Sequence, residues 1–98
     1  MITYKINGQK ITDWKPFHSE LKKGMEFPNY YGENMDAWID STDELTEKKL
    51  TLLLIENGEI LKAKKPKLYL TILECGAFVN HRKTENGENP NLIISTNF

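Results

Sequence analysis

Along the first half of the chain the apolar positions change period twice. "ITYKIN", residues 2–7, alternates and carries β-branched residues, which predicts a strand ending at Asn7-Gly8. Taken locally, Asn-Gly favours a two-residue hairpin. The residues that follow read as helix instead: Trp14, Phe17 and Leu21 recur at i, i+3 and i+7, Thr12 or Asp13 is placed to cap, and Gly24 stops the run. Pro16 is tolerated because backbone N–H groups in a first turn lack intrahelical partners. Residues 25–33 form a loop carrying Phe27-Pro28 and Tyr30-Tyr31, and a second helix covers about residues 34–45. "LTLLLI", residues 50–55, is a short continuous apolar run, the pattern of a strand buried on both faces.

After the break at Asn57-Gly58, "GEILKAKK" has room for one or two helical turns. "PKLYLTILECGAFVNHRK" reads two ways. Leu68, Leu70 and Ile72 alternate as in a strand, whereas Ile72, Cys75 and Val79 suit a helix with Pro66 in its first turn. The helix is preferred. "TENGENPN" is a polar, turn-rich loop, and residues 92–97 are the last strand. Strands separated by helices imply an α/β fold with a parallel sheet and helical crossovers, and residues 1–98 fit a single domain.

Composition narrows the class. Hydrophobic residues make up 39% and charged residues 28%, ordinary values for a soluble globular protein. A formal net charge of −1 speaks against a nucleic-acid binder or a membrane-surface protein. One cysteine, Cys75, excludes an internal disulfide, fits a reducing compartment and reads as a small core residue. No basic leader and no run of about 18 apolar residues is visible, so the expected location is the cytoplasm.

The second helix sorts cleanly on a wheel of about 100° per residue. Met35, Trp38, Ile39, Thr42 and Leu45 form a core-facing stripe, and Glu33, Asp36, Asp40, Asp43, Glu44 and Glu47 lie opposite. Between Gly24 and Glu47 there are seven acidic residues and no Lys or Arg. A solvated outer face is the plain explanation. Against it, like charges at i, i+4 cost about 0.2–0.5 kcal/mol each, and Asp40, Asp43 and Glu44 sit too late to gain from the helix N-terminus. This face is therefore expected to meet a basic partner.

At this point "YYGENMDAWID" resembles the signature of the barstar family, small intracellular inhibitors of microbial ribonucleases. "INGQKI", "FHSELKK", "FPNYYGEN" and "LTLLLI" fall in family order and spacing, so the likeness runs from about residue 6 to 55. The resemblance implies a small three-stranded parallel β-sheet flanked by about three to four helices. It also implies inhibition through the second helix and the loop before it. On that pattern Asp40 enters the enzyme's phosphate-binding site, since arginine grips a carboxylate as it grips a phosphate. Asp36 meets a further basic residue, and Tyr30 packs on the rim. Gly32 lets the backbone approach closely, while Asn34, Met35 and Ile39 lie within the contact. The implied partner is a basic secreted ribonuclease or similar cationic toxin, with no cofactor, no metal ligand and no catalytic residue, and the free chain is a monomer. The sequence departs from the pattern at Ile39 and Leu45, where the family often has aromatics. The family also supplies acidic contacts from its last helix, where only Glu74 is available here.

Other candidates have plainer readings. One of Tyr30 and Tyr31 is expected to pack inward and the other to face out. The four lysines of "LKAKKPK" are a solvated surface without interleaved aromatics. His18 and His81 are isolated and read as surface or boundary residues. Two rival functions stay open. Asp36 and Asp40 are conceivable as a carboxylate pair or metal ligands of an enzyme, although two side chains on one exposed helix make no cleft. The same acidic face also suits an immunity or adaptor protein for a different basic partner.

Overall fold

The computed structural model describes residues 1–96. Strand β1 (Ile2–Asn7) leads through a 3-10 turn (Gly8–Lys10) into helix α1 (Trp14–Gly24). Helix α2 (Met35–Leu45), strand β2 (Thr51–Glu56), helices α3 (Gly58–Lys64) and α4 (Pro66–Glu85) and strand β3 (Leu92–Ser95) follow. The three strands are parallel in the order β1-β2-β3, with Ile2 opposite Thr51 and Thr51 opposite Leu92.

Two consecutive crossovers that step the same way across a sheet, each right-handed, must lie on the same face. All the helices therefore cover one side. On that side Ile6, Leu53, Ile55 and Leu92 are buried, with Tyr4 and Ile94 packed against them. Gly24 of α1 sits so close to Ile6, and Gly76 of α4 so close to Ile94, that a methyl group at either would collide. Phe17, Leu21, Met25, Trp38, Leu61, Ile72 and Val79 complete the core between sheet and helices.

The opposite face is open, which corrects the expected burial of β2 on both sides. Leu52 and Leu54 are only half-buried, and their neighbours Thr3, Lys5 and Ile93 are exposed. A continuous apolar run signals two covered faces when crossovers go both ways, and here they do not. The strand also starts one residue late, leaving Leu50 exposed.

Local chemistry explains the helix ends. The Asp13 carboxylate accepts from the Trp14 N–H at 2.9 Å, so Asp13, not Thr12, caps α1. Trp14 at the first position is 39% exposed, so Phe17 and Leu21 carry the buried stripe without it. The ambiguous segment is one 20-residue helix: Leu68 and Ile72 are buried, Leu70 is exposed, and the helix takes Thr84 and Glu85 from the expected loop. The last strand is observed over Leu92–Ser95, and Asn97, expected to end it, lies outside the described residues. No helix among the described residues is long and apolar enough to cross a membrane.

Thr42 is fully buried on α2, and its hydroxyl finds no hydrogen-bond partner among the described residues. An unpaired buried polar group lowers stability, whereas a methyl of the same shape does not. Thr42→Val is accordingly expected to raise the free energy of unfolding by up to about 1 kcal/mol, measured by urea titration.

Candidate partner-binding surface

The loop before α2 is fastened at three points. Tyr31 is buried, and its hydroxyl lies 2.6 Å from Nδ1 of His18, which is itself buried rather than at the surface or boundary as expected. Burial, then the nearby Glu33 carboxylate, pushes the Tyr31 phenol above its ordinary range, so it stays protonated. Burial lowers the His18 pKa, with Glu33 pulling the other way. A protonated phenol is the better donor to a neutral imidazole, which leaves the ring proton on Nε2. Tyr31→Phe strands a buried ring nitrogen. It is expected to cost about 1–3 kcal/mol in thermal or urea unfolding.

The second fastening is Asn34, whose side-chain oxygen accepts from the Ala37 N–H at 2.8 Å while its amide donates to the Gly32 carbonyl at 3.3 Å. One residue thus caps the helix and ties the loop to it. The third is backbone: the Tyr31 N–H donates to the Pro28 carbonyl at 3.0 Å, and Glu33, not Gly32, takes the left-handed conformation with φ 52°. Gly32 instead passes Ala37 closely, where an added Cβ would stand 3.3 Å from the Ala37 Cβ. With Tyr31 turned inward, Tyr30 is 84% exposed. Tyr30 lines a cleft of about 580 Å³ with Phe27, Pro28, Glu44 and Leu45.

The α2 stripe lies as the wheel predicts. Trp38 and Thr42 are buried, Met35, Ile39 and Leu45 are half-buried, and Asp36, Asp40 and Glu44 are exposed. The acidic face is less bare than the local sequence suggests, because α4 supplies cations to it. Arg82 donates Nη2–H to Asp43 at 2.7 Å and to Asp40 at 3.1 Å, and its Nε–H to Asp43 at 3.1 Å. Lys83, with its side chain 1% exposed, reaches the Asp43 carboxylate and the Asp43 carbonyl, each at 2.8 Å. Burial alone would raise the Asp43 pKa, but the hydrogen bonds from Lys83 and Arg82 outweigh it and hold the carboxyl below its usual value. The absence of basic residues between Gly24 and Glu47 is thus partly offset in space. Asp40 keeps a side chain 73% exposed, and beside it Asp43, Glu44, Glu47 and Glu88 line a depression of about 240 Å³ with Lys83.

A sequence model of the family described as "Barstar (barnase inhibitor)" matches residues 1–95. The chain belongs to the barstar family. It is also similar to a Bacillus subtilis (strain 168) protein named "Putative ribonuclease inhibitor YrdF", with 37% identity over 49 residues. That match takes in 50% of this chain, and the chain spans about half (54%) of the relative's length.

As a barstar-family member the chain has the expected three-stranded parallel sheet and four helices. Asp36, Asp40 and Tyr30 stand exposed, Asn34 and Met35 share a depression with Trp14, His18 and Glu33, and Ile39 packs partly into the core. The clefts beside Tyr30 and Asp40 share Glu44 and Glu47 on their walls. On α4 Glu74, the acidic partner contact expected from the last helix, is exposed and is joined by Glu85, while Arg82 and Lys83 touch the acidic face of α2. Sequence reasoning missed both because the register of α4 against α2 is not written in either helix. "HRK" near the end of an amphipathic segment was the available signal.

Proposed function

We propose that this chain inhibits a small basic ribonuclease by placing the acidic face of α2 and the preceding loop over the enzyme's phosphate-binding site. The single observation that carries the reading is the exposed Asp40 carboxylate on the outer face of α2 in a chain of the barstar family. Asp40 offers at least one carboxylate oxygen to an incoming guanidinium, and Asp36, one turn earlier, offers a second acceptor. Tyr30 brings a large, stiff contact surface on the loop, where Asn34 and buried Tyr31 limit its freedom, and so less entropy is lost on binding. The name carried by the Bacillus subtilis relative supports the same partner class.

The test is inhibition of a small basic guanyl-preferring microbial ribonuclease by the purified chain at low and high salt. Stoichiometric inhibition that weakens as salt rises is the expected result, since screening shortens the reach of surface charge. Full enzyme activity in the presence of folded protein would overturn it. A different basic partner is the second reading, and Arg82 on Asp40, together with Ile39 and Leu45 in place of aromatics, favours it.

A further inference from the structure

Arg82 holds its two carboxylates unequally. It makes two hydrogen bonds to Asp43, at 2.7 and 3.1 Å, and one to Asp40, at 3.1 Å, through the nitrogen that makes the shorter bond to Asp43. It can give up Asp40 and stay anchored. Asp43 is the less exposed of the pair, its side chain 25% exposed, and it also has buried Lys83. Asp40 has no other hydrogen-bond partner among the described residues, and the neighbouring depression is walled by Asp43, Glu44, Glu47 and Glu88. A cation entering that depression meets Asp40 with a guanidinium already on it.

We infer that Arg82 is a specificity-determining internal competitor. In the free chain it takes up part of the position on Asp40 that a partner's guanidinium or ammonium takes in the complex, so only a strongly cationic surface displaces it. The inference rests on the reading of α2 as the partner-binding helix and adds the residue that sets its selectivity. Arginine remains charged throughout the physiological range, so the competition does not switch with pH. The alternative role, positioning Asp40 for its partner, predicts the opposite effect of removing the charge. Like charges a few ångströms apart repel even in a wet environment, and a partly exposed guanidinium still opposes an incoming one.

The experiment compares the wild type with Arg82→Gln, using hexa-arginine peptide and a small basic ribonuclease as separate probes. Arg82→Gln is expected to bind hexa-arginine about two- to threefold more tightly at low salt. The advantage should vanish at roughly 0.5 M salt, where the screening length falls to about 4 Å. Equal or weaker binding of the peptide by folded Arg82→Gln overturns the inference. The wild type gives a second readout that does not depend on the variant folding. On titration with hexa-arginine the Arg82 guanidinium resonances should shift as Asp40 is released, and unshifted resonances at saturation overturn the inference as well. The ribonuclease separates the two ideas. If it binds neither protein, the reading of the site fails, while the peptide comparison still decides the role of Arg82. If it binds the wild type and Arg82→Gln equally, the inference fails and the reading of the site stands.

Discussion

Asp40→Ala is expected to weaken inhibition of a basic ribonuclease by at least about thirtyfold, through faster dissociation. Truncating one partner of a desolvated, hydrogen-bonded charge pair costs about 2–5 kcal/mol, a range informed by a barstar-family complex itself, because the other charge is left buried without its partner. In the free chain the same substitution removes an exposed side chain bonded only to Arg82 among the described residues, and Arg82 keeps Asp43. Folding stability should therefore change by less than about 0.5 kcal/mol. Glu44→Ala is the comparison within the same acidic face, exposed, bonded to no described side chain and bordering the depression beside Asp40, and it is expected to weaken inhibition less. Asp43→Ala is not a neutral control, since it strands Lys83 and frees Arg82 to close on Asp40. Inhibition constants and unfolding curves for the three proteins check this. Equal losses from Asp40→Ala and Glu44→Ala would refute a dominant role for Asp40.

Lys83→Met is expected to destabilise the fold by about 2 kcal/mol at neutral pH. A buried ammonium is tolerated only because its partners repay its lost hydration, and here both partners belong to Asp43. Methionine keeps most of the volume but leaves the Asp43 carbonyl without this bond and its carboxylate with Arg82 alone. Breaking a fully buried pair can cost 3–5 kcal/mol, but Asp43 is partly exposed and keeps one cation, so the smaller value is expected. The sign of the pH dependence follows from Asp43. Its folded pKa lies below the unfolded one, so the ion pair's contribution is fully present above about pH 4 and is lost as pH falls through the folded value. Urea unfolding of both proteins between roughly pH 2 and 7 should show the gap closing on the acid side. A gap of constant size would mean that packing, not the ion pair, sets the loss.

The contrast between Asp40 and Asp43 also shows how far sequence reasoning reached. The two residues look alike on the helix wheel, three positions apart on one polar face. One is open to solvent, and the other is the hub joining α2 to α4. Tyr30 and Tyr31 pose the same kind of problem, since neighbouring identical residues can be told apart only by what each reaches. Tyr31 reaches His18, 13 residues earlier, and Tyr30 is left outside. The resemblance to the barstar family was legible in the loop and α2, and the match now covers residues 1–95.

Sequence alone determined the features that depend on neighbours along the chain. The alternation in β1, the stripe on α2 and a cap for α1 at Thr12 or Asp13 are local, because backbone periodicity and first-turn hydrogen bonds involve residues within about four positions of each other. Tertiary structure alone decided which sheet face was covered, which tyrosine and which histidine were buried, and which acids were neutralised. Arg82 lies 42 residues from Asp40, and Lys83 lies 40 from Asp43. Coulomb energy and hydrogen bonding depend on distance in space, and that distance is set by how α4 rests on α2 across the shared core.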